Sequence, residues 1–451
     1  MLLIPLLIFG IYLYLKGNRV WSAVIFFFFL SDGFQIIPPG LFDTHLGFNK
    51  PVDFCFIYTF VLFIFGALKY EDFLPKRDIV AKAILFFLAV IFLIMGVNYF
   101  VLHVPLKEII QTGRFFFVAL SYFLFIRLSR EEIDKIHRIL FPIVIFQSII
   151  FILQVVISKP ILTGYYGGVD IGLPFLRFYN LPLLIYFYVF YALFQNPYSG
   201  DKKIFTTAIL PITLLLPMHR GMIVSLIVSI VVASYLRGGL KEIAKYVVLG
   251  TIIILPAMSI ILDRFGKGET ENDINNVMAG SFRNYVQDNN NNFDDGTFLF
   301  RLAHFYERFI YCQENPWNMA FGIGFMVEGS PYTVKNLDFK IGIMDDYTYD
   351  VTQVDTADIA WSNFVIRFGV VGTIAFFLFF GALFYFFLRH KKEKDGIPAL
   401  MYLLLMLFTS INSSQLSYVW MFSIVFLSVA TINDSKNREE DEGEPNSLPP
   451  L

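Results

Sequence analysis

Residues 81–102 read AKAILFFLAVIFLIMGVNYFVL, an apolar run interrupted by one charge, Lys82. A helix needs about 20 consecutive apolar residues to cross a bilayer core, and this run has that length. The same ruler, moved outward, finds further spans near residues 2–16, 20–37 and 52–69 on one side. On the other it finds 113–128, 138–158, 178–195, 203–218, 220–236, 244–262, 360–388, 398–413 and 415–432. The expected fold is therefore all-α, a polytopic transmembrane bundle of thirteen helices, or twelve if the short first two form a tight hairpin.

Composition agrees. Of 451 residues, 56% are hydrophobic and 16% charged, whereas a soluble surface of this size needs roughly a quarter charged. The 54 Phe and 24 Tyr suit lipid and its interfaces. The net charge of -2 is uninformative, because charges are segregated by loop. No basic stripe interleaves with exposed aromatics, so nucleic acid is not an expected partner. Cys55 and Cys312 are expected to be two buried, inert thiols. The start, MLLIPLLIFGIYLYLKGNR, lacks a basic leader and a small-residue cleavage site, so it is read as a retained helix.

Lys and Arg in short loops set orientation. Alternate loops hold Lys16 and Arg19; Lys69, Lys76 and Arg77; Arg127, Arg130, Lys135 and Arg138. The series continues with Lys202 and Lys203; Arg237, Lys241 and Lys245; Arg389, Lys391, Lys392 and Lys394. The intervening loops hold fewer. The basic side is expected to be cytoplasmic, with the acidic tail at 434–451 inside and the 263–359 loop outside. The chain thus divides into ten helices over 1–262, the large extracytoplasmic loop over 263–359, three helices over 360–433, and the tail.

In that loop, ETENDINNVMAGSFRNYVQDNNNNFDDGT is rich in Asn and Asp with few apolar anchors. FLFRLAHFYERFIYCQENP, from Phe298, places apolar residues at helical spacing and reads as an amphipathic helix stopped by Pro316, able to lie on the outer leaflet.

Ions inside a bilayer are costly and mark function or a local partner. Arg114 opens the 113–128 span, either as a snorkelling interfacial arginine or as a substrate ligand. His219–Arg220 occupy a short outer turn, where the basic-inside bias disfavours a casual arginine. Arg301 and Arg308, two helical turns apart, form one face with His304 and Glu307 between them. That face suits bidentate phosphate binding, or is simply solvated. Arg264 and Arg283 are further loop candidates. Asp355 and Asp358 stand at the outer mouth of a helix, as N-terminal caps or as a general base. The Gly-x-Gly of AFGIGFMVEGS is no nucleotide loop, because no strand precedes it and no helix start follows. No HExxH, GxSxG or GxxxxGK[ST] pattern occurs.

Three segments in order carry a family resemblance. LPMHRGMIVSLIVSIVV is similar to a Ser-Arg-Gly helix entry. RLAHFYERFIYCQENPWNMAFGIGF is similar to an arginine-led helix, proline turn and Gly-x-Gly-Phe. DIAWSNFVIRFGVVG looks like a re-entry segment with a Gly-rich finish. With the large loop before the last helices, the chain over roughly 205–435 resembles the bacterial O-antigen polymerase and O-antigen ligase superfamily of membrane glycosyltransferases. His219 stands where serine is usual, and Ser362–Asn363 where His-Asn is frequent. If the ligase-type histidine is catalytic, its absence counts against a ligase and leaves Asp358 as the substitute.

The resemblance implies an undecaprenyl-pyrophosphate-linked oligosaccharide donor, membrane lipid around it, and a chain-length regulator as partner. The diphosphate is already a good leaving group. The protein must add positive charge and a base for the acceptor hydroxyl. Arg220 and Arg301 are expected to hold phosphates and Asp358 to take the proton. His219, His304, Arg308, Arg114 and Arg264 complete the expected substrate-binding set. Guanidinium charge makes a metal dispensable, no cofactor is expected, and direct displacement implies inversion. The expected activity is polymerisation of lipid-linked repeats on the outer side of the cytoplasmic (inner) membrane. The alternatives are ligase-type transfer to a lipid core or protein, and a transporter or flippase. Transporters tend to pair broken helices in two related halves, and no such symmetry is visible.

Overall fold

The structure, a computed structural model, describes all residues except 1–2, 43–49, 77, 165–166, 171–174, 242–243, 245–274, 288–296, 344–350, 357 and 444–451. The described residues are all-helical, with one isolated bridge pairing Val169 and Arg177 and no strand. Among the described residues, six helices are long and apolar enough to cross a membrane: Pro51–Lys69, Ile79–Phe100, Leu106–Phe125, Arg130–Ile157, Arg220–Gly238 and Ala360–Arg389. Shorter apolar helices lie at Ile4–Leu15, Arg19–Leu30, Ile185–Phe194, Gly396–Thr409 and Val419–Ser435. The expected 244–262 span lies almost wholly outside the described residues.

Ile79–Phe100 shows why the long helices form. Asp78 caps it by accepting from the N–H groups of Val80 and Ala81, and its 22 residues extend about 33 Å at 1.5 Å each. It packs along Gly369–Arg389. Arg130–Ile157 begins at a capping box in which Ser129 and Glu132 satisfy each other's backbone. That box starts the helix eight residues before the apolar run used to place it.

Several boundaries differ from the hydropathy reading. The second helix stops at Leu30, and Asp32, Phe34 and Gln35 take positive φ. Residues 178–184 precede, and do not join, Ile185–Phe194. Gln35 donates to the carbonyls of Asn180 and Leu181, Gln154 accepts from Ile161 and Leu162, and Asn180 donates to Leu162. These side-chain amides meet the backbone groups that irregular chain leaves open, a necessity where water is scarce. The last helix, Ser423–Gly443, runs on into the acidic tail. Both cysteines are free and buried.

The basic loops gather at one end of the bundle. Arg19 donates to the Arg127 carbonyl at 2.8 Å, Arg127 to the Asp72 carbonyl at 2.9 Å, and Arg130 pairs with Asp395 at 3.5 Å. Gln195 also bonds Asp395, and Asp434 accepts from the Arg130 backbone. The loop residues 316–322 pack at the other end of the Gly369–Arg389 helix, against Gly369.

Candidate functional site

Pro316 begins a short helix, Pro316–Phe321, and Gly322 ends it with φ +73°. The turn behind it docks on backbone: Ile323 donates to the Ile366 carbonyl at 2.8 Å. A Cβ on Gly322 would fall 2.7 Å from the Arg367 carbonyl carbon, and one on Gly369 2.3 Å from the Gly322 nitrogen. Gly324 lies as close to Asn98, whose Oδ1 accepts from Phe325 N–H. The Gly-x-Gly therefore serves backbone-to-backbone contact. It holds the loop against the start of the Ala360–Arg389 span, made of the helix Ala360–Asn363 and a wide π turn, Phe364–Phe368. Such turns are frequent at functional sites.

The loop helix Thr297–Gln313 packs inward instead of lying free on a leaflet. Leu299, Ala303, His304, Arg308 and Cys312 form its buried stripe. His304 Nδ1 is 3.0 Å from Ser362 Oγ, and Cys312 Sγ 3.8 Å from the Val365 carbonyl. Burial first, then the Arg308 charge, hold the His304 pKa well below its ordinary value. His304 is thus enclosed between the loop helix and Ser362. Arg308 is enclosed too: all of its nitrogens bond within the protein, to the carbonyls of Ile341, Gln353 and Val354 and to Glu307. Its guanidinium also stacks 4.2 Å from the Phe339 ring centroid, and burial lowers its pKa to about 10. The arginine fastens residues 339–341 and 353–354 to the helix, with every nitrogen held inside the protein.

Arg301 sits on the flank, 12% exposed, with Nη2 3.7 Å from the Asp358 carboxylate, itself 52% exposed. Ile359, not Asp358, is the N-cap of Ala360–Asn363, and no side-chain cap bond forms there. Ala360 N–H donates to the Ser410 carbonyl, and Asn412 abuts Gly221, where a Cβ would fall 1.7 Å from its Nδ2. His219 is the N-cap of the helix that Arg220 opens. Through the 410–412 turn and the 360–363 helix, the three sequence segments thus come to one place.

Beside Asn363 lies a cavity of about 610 Å3, within the usual range for small-molecule sites. Its cations are Lys50, Arg114 and Arg367, and its acids Glu328 and Asp355. Tyr418 and Trp420, stacked at 5.6 Å, give it an aromatic wall. Arg367 donates to Asp355 at 2.7 Å and to the carbonyls of Gly324 and Met326. Glu328 Oε1 accepts from the N–H groups of Val354 and Asp355, both at 3.1 Å. Partial desolvation, then the Asp355 charge, raise the Glu328 pKa.

Arg114 belongs to this cavity but not at the opening of a span. It lies inside Leu106–Phe125, at the switch from helix to 3-10 turn. Nη2 is 2.7 Å from Asp53, whose side chain is fully buried and also accepts from Lys50 N–H. A buried pair explains an arginine at that depth better than snorkelling does. Arg220 and Arg301 do not line the cavity, and Arg264 lies outside the described residues. Arg283, on the exposed side, faces Tyr306 at 5.8 Å.

Sequence reading passed over Arg367, Asp53, Glu328 and the Tyr418–Trp420 pair. The first two carried a usable signal, a charge inside an apolar run. Among the described residues no group of three or more His, Cys, Asp or Glu is arranged to hold a metal. In comparisons with known proteins, no family model and no curated entry matches the chain.

Proposed function

We propose that the protein is a membrane glycosyltransferase that joins oligosaccharide repeats carried on a polyprenyl diphosphate, at the bundle end opposite its basic loops. The single observation that carries the reading is the cavity, where three cations, two carboxylates and an aromatic wall share one space. A lipid-linked sugar diphosphate asks for that set. Guanidinium groups hold the diphosphate and take up charge as it leaves. Aromatic faces stack on sugar rings, and a carboxylate accepts the acceptor's proton. The convergence of the 219–221, 301–304 and 358–363 segments next to Asn363 adds support, since these are the segments that resemble the polymerase and ligase superfamily. The same reading puts the basic loops in the cytoplasm and the cavity on the outer face of the cytoplasmic membrane.

The test is transfer by the purified protein in oriented vesicles. A cysteine at Asp338, whose side chain is 87% exposed, should react with an impermeant maleimide from the outside. Lipid-linked repeat added to that face should grow into a ladder with no other protein present. One unit moved to a non-repeat acceptor makes the protein a ligase. Movement of intact donor across the vesicle without a new glycosidic bond makes it a transporter and ends the polymerase reading.

A further inference from the structure

We infer that Glu328 is the acid that takes the acceptor's proton in this transfer, an assignment that rests on the function just proposed. Two carboxylates line the cavity, Glu328 and Asp355, Asp358 follows three residues after Asp355, and their partners separate the three. Asp355 is tied to Arg367 at 2.7 Å and Asp358 pairs with Arg301 at 3.7 Å. A guanidinium against a carboxylate takes the oxygen to which an acceptor hydroxyl would have to donate. Glu328 lines the cavity and, among the described residues, has no cation within ion-pair distance. Two backbone N–H groups fix Oε1, while Oε2 makes no hydrogen bond among the described residues. The carboxylate is held at one oxygen and open at the other, the arrangement a positioned base requires.

Glu328 lies directly beside Asp355, feels the Asp355 and Arg367 charges, and is felt by Arg308 and Tyr418 from two other elements. Glu108 Oε2 accepts from Val327 N–H and anchors the turn from below. The acceptor oxygen forms its bond to the anomeric carbon as the bond from that carbon to the phosphate oxygen breaks. The breaking bond's electron pair leaves on the diphosphate, and the hydroxyl proton passes to Glu328 Oε2, which later releases it to water. Glu328 is exposed towards the cavity; partial desolvation, then the Asp355 charge, raise its carboxyl above the ordinary 4.5, while Arg367 and the two backbone N–H groups pull it back.

The experiment compares Glu328→Gln with the parent for turnover, donor binding and pH profile. Glutamine retains a carbonyl oxygen for the two backbone donors but cannot take a proton. Turnover should fall by about 10²- to 10⁴-fold with donor binding kept. Parent activity should decline as pH falls through the raised Glu328 pKa. Glu328→Asp should keep part of the turnover with that acid limb displaced. A Glu328→Gln variant within a few-fold of the parent overturns the assignment. So does loss of donor binding along with turnover, or an acid limb abolished by Asp358→Asn instead. A parent protein that transfers nothing removes the function and this base together, whereas an active parent with an active glutamine variant removes the base alone.

Discussion

Arg301 and Arg308 share one helix and one charge, yet differ in every physical respect that matters to a ligand. Arg308 is enclosed, and its loss leaves three carbonyls without this donor and Glu307 without its cation. Breaking a buried pair costs about 3–5 kcal/mol. Arg308→Met should therefore loosen the chain over 337–343 and 351–356, read as faster limited proteolysis there. Arg301 makes a partly exposed pair worth about 0–1 kcal/mol. Arg301→Ala should leave proteolysis unchanged but cut transfer at least tenfold, with Arg301→Lys a poor rescue, since lysine lacks the two-pronged geometry. Unchanged proteolysis in Arg308→Met, or full transfer in Arg301→Ala, would contradict this division. The seven-residue spacing was legible and put both arginines near one face. Which part of that face turns inward was not, because it depends on Ser362 and on residues 339–341 and 353–354, all distant in sequence.

Among the elements, the docking of the glycine turn on the π turn decides where the loop sits. Gly369 has φ +58° and no room for a side chain. Gly369→Ala adds left-handed strain of about 1–3 kcal/mol and a clash with the 320–322 backbone. The expected result is a lower unfolding temperature and a loop more open to protease. Gly381 lies in the same helix with open space around its Cβ position. Gly381→Ala should be neutral or stabilising, since alanine favours helix by about 0.5–1 kcal/mol. Equal behaviour of the two variants would mean the turn does not anchor the loop. Hydropathy found the helices but not their ends, for physical reasons. Apolar composition continues past Leu30 and begins before Ile185, while the amides of Gln35, Gln154 and Asn180 let the chain leave the helix there. The same blindness hid the break at Arg114, where the span starts earlier and passes through an ion pair formed with Asp53 of another helix.

For the whole molecule, the alternation of basic loops was readable because each loop carries its own charge, and the hydrogen bonds joining Arg19, Arg127, Arg130 and Asp395 bring those loops to one end. The cavity at the other end was not readable, because five separate stretches of chain build it and none looks like a site alone. Its central role is most directly tested by photo-crosslinking from a benzoylphenylalanine placed at Trp420, with labelled lipid-diphosphate oligosaccharide as the probe. The expected result is one labelled band, competed by unlabelled donor and weakened by Arg367→Lys. Equal labelling by the polyprenyl chain without diphosphate and sugar, or no labelling in a preparation that transfers, would contradict the account.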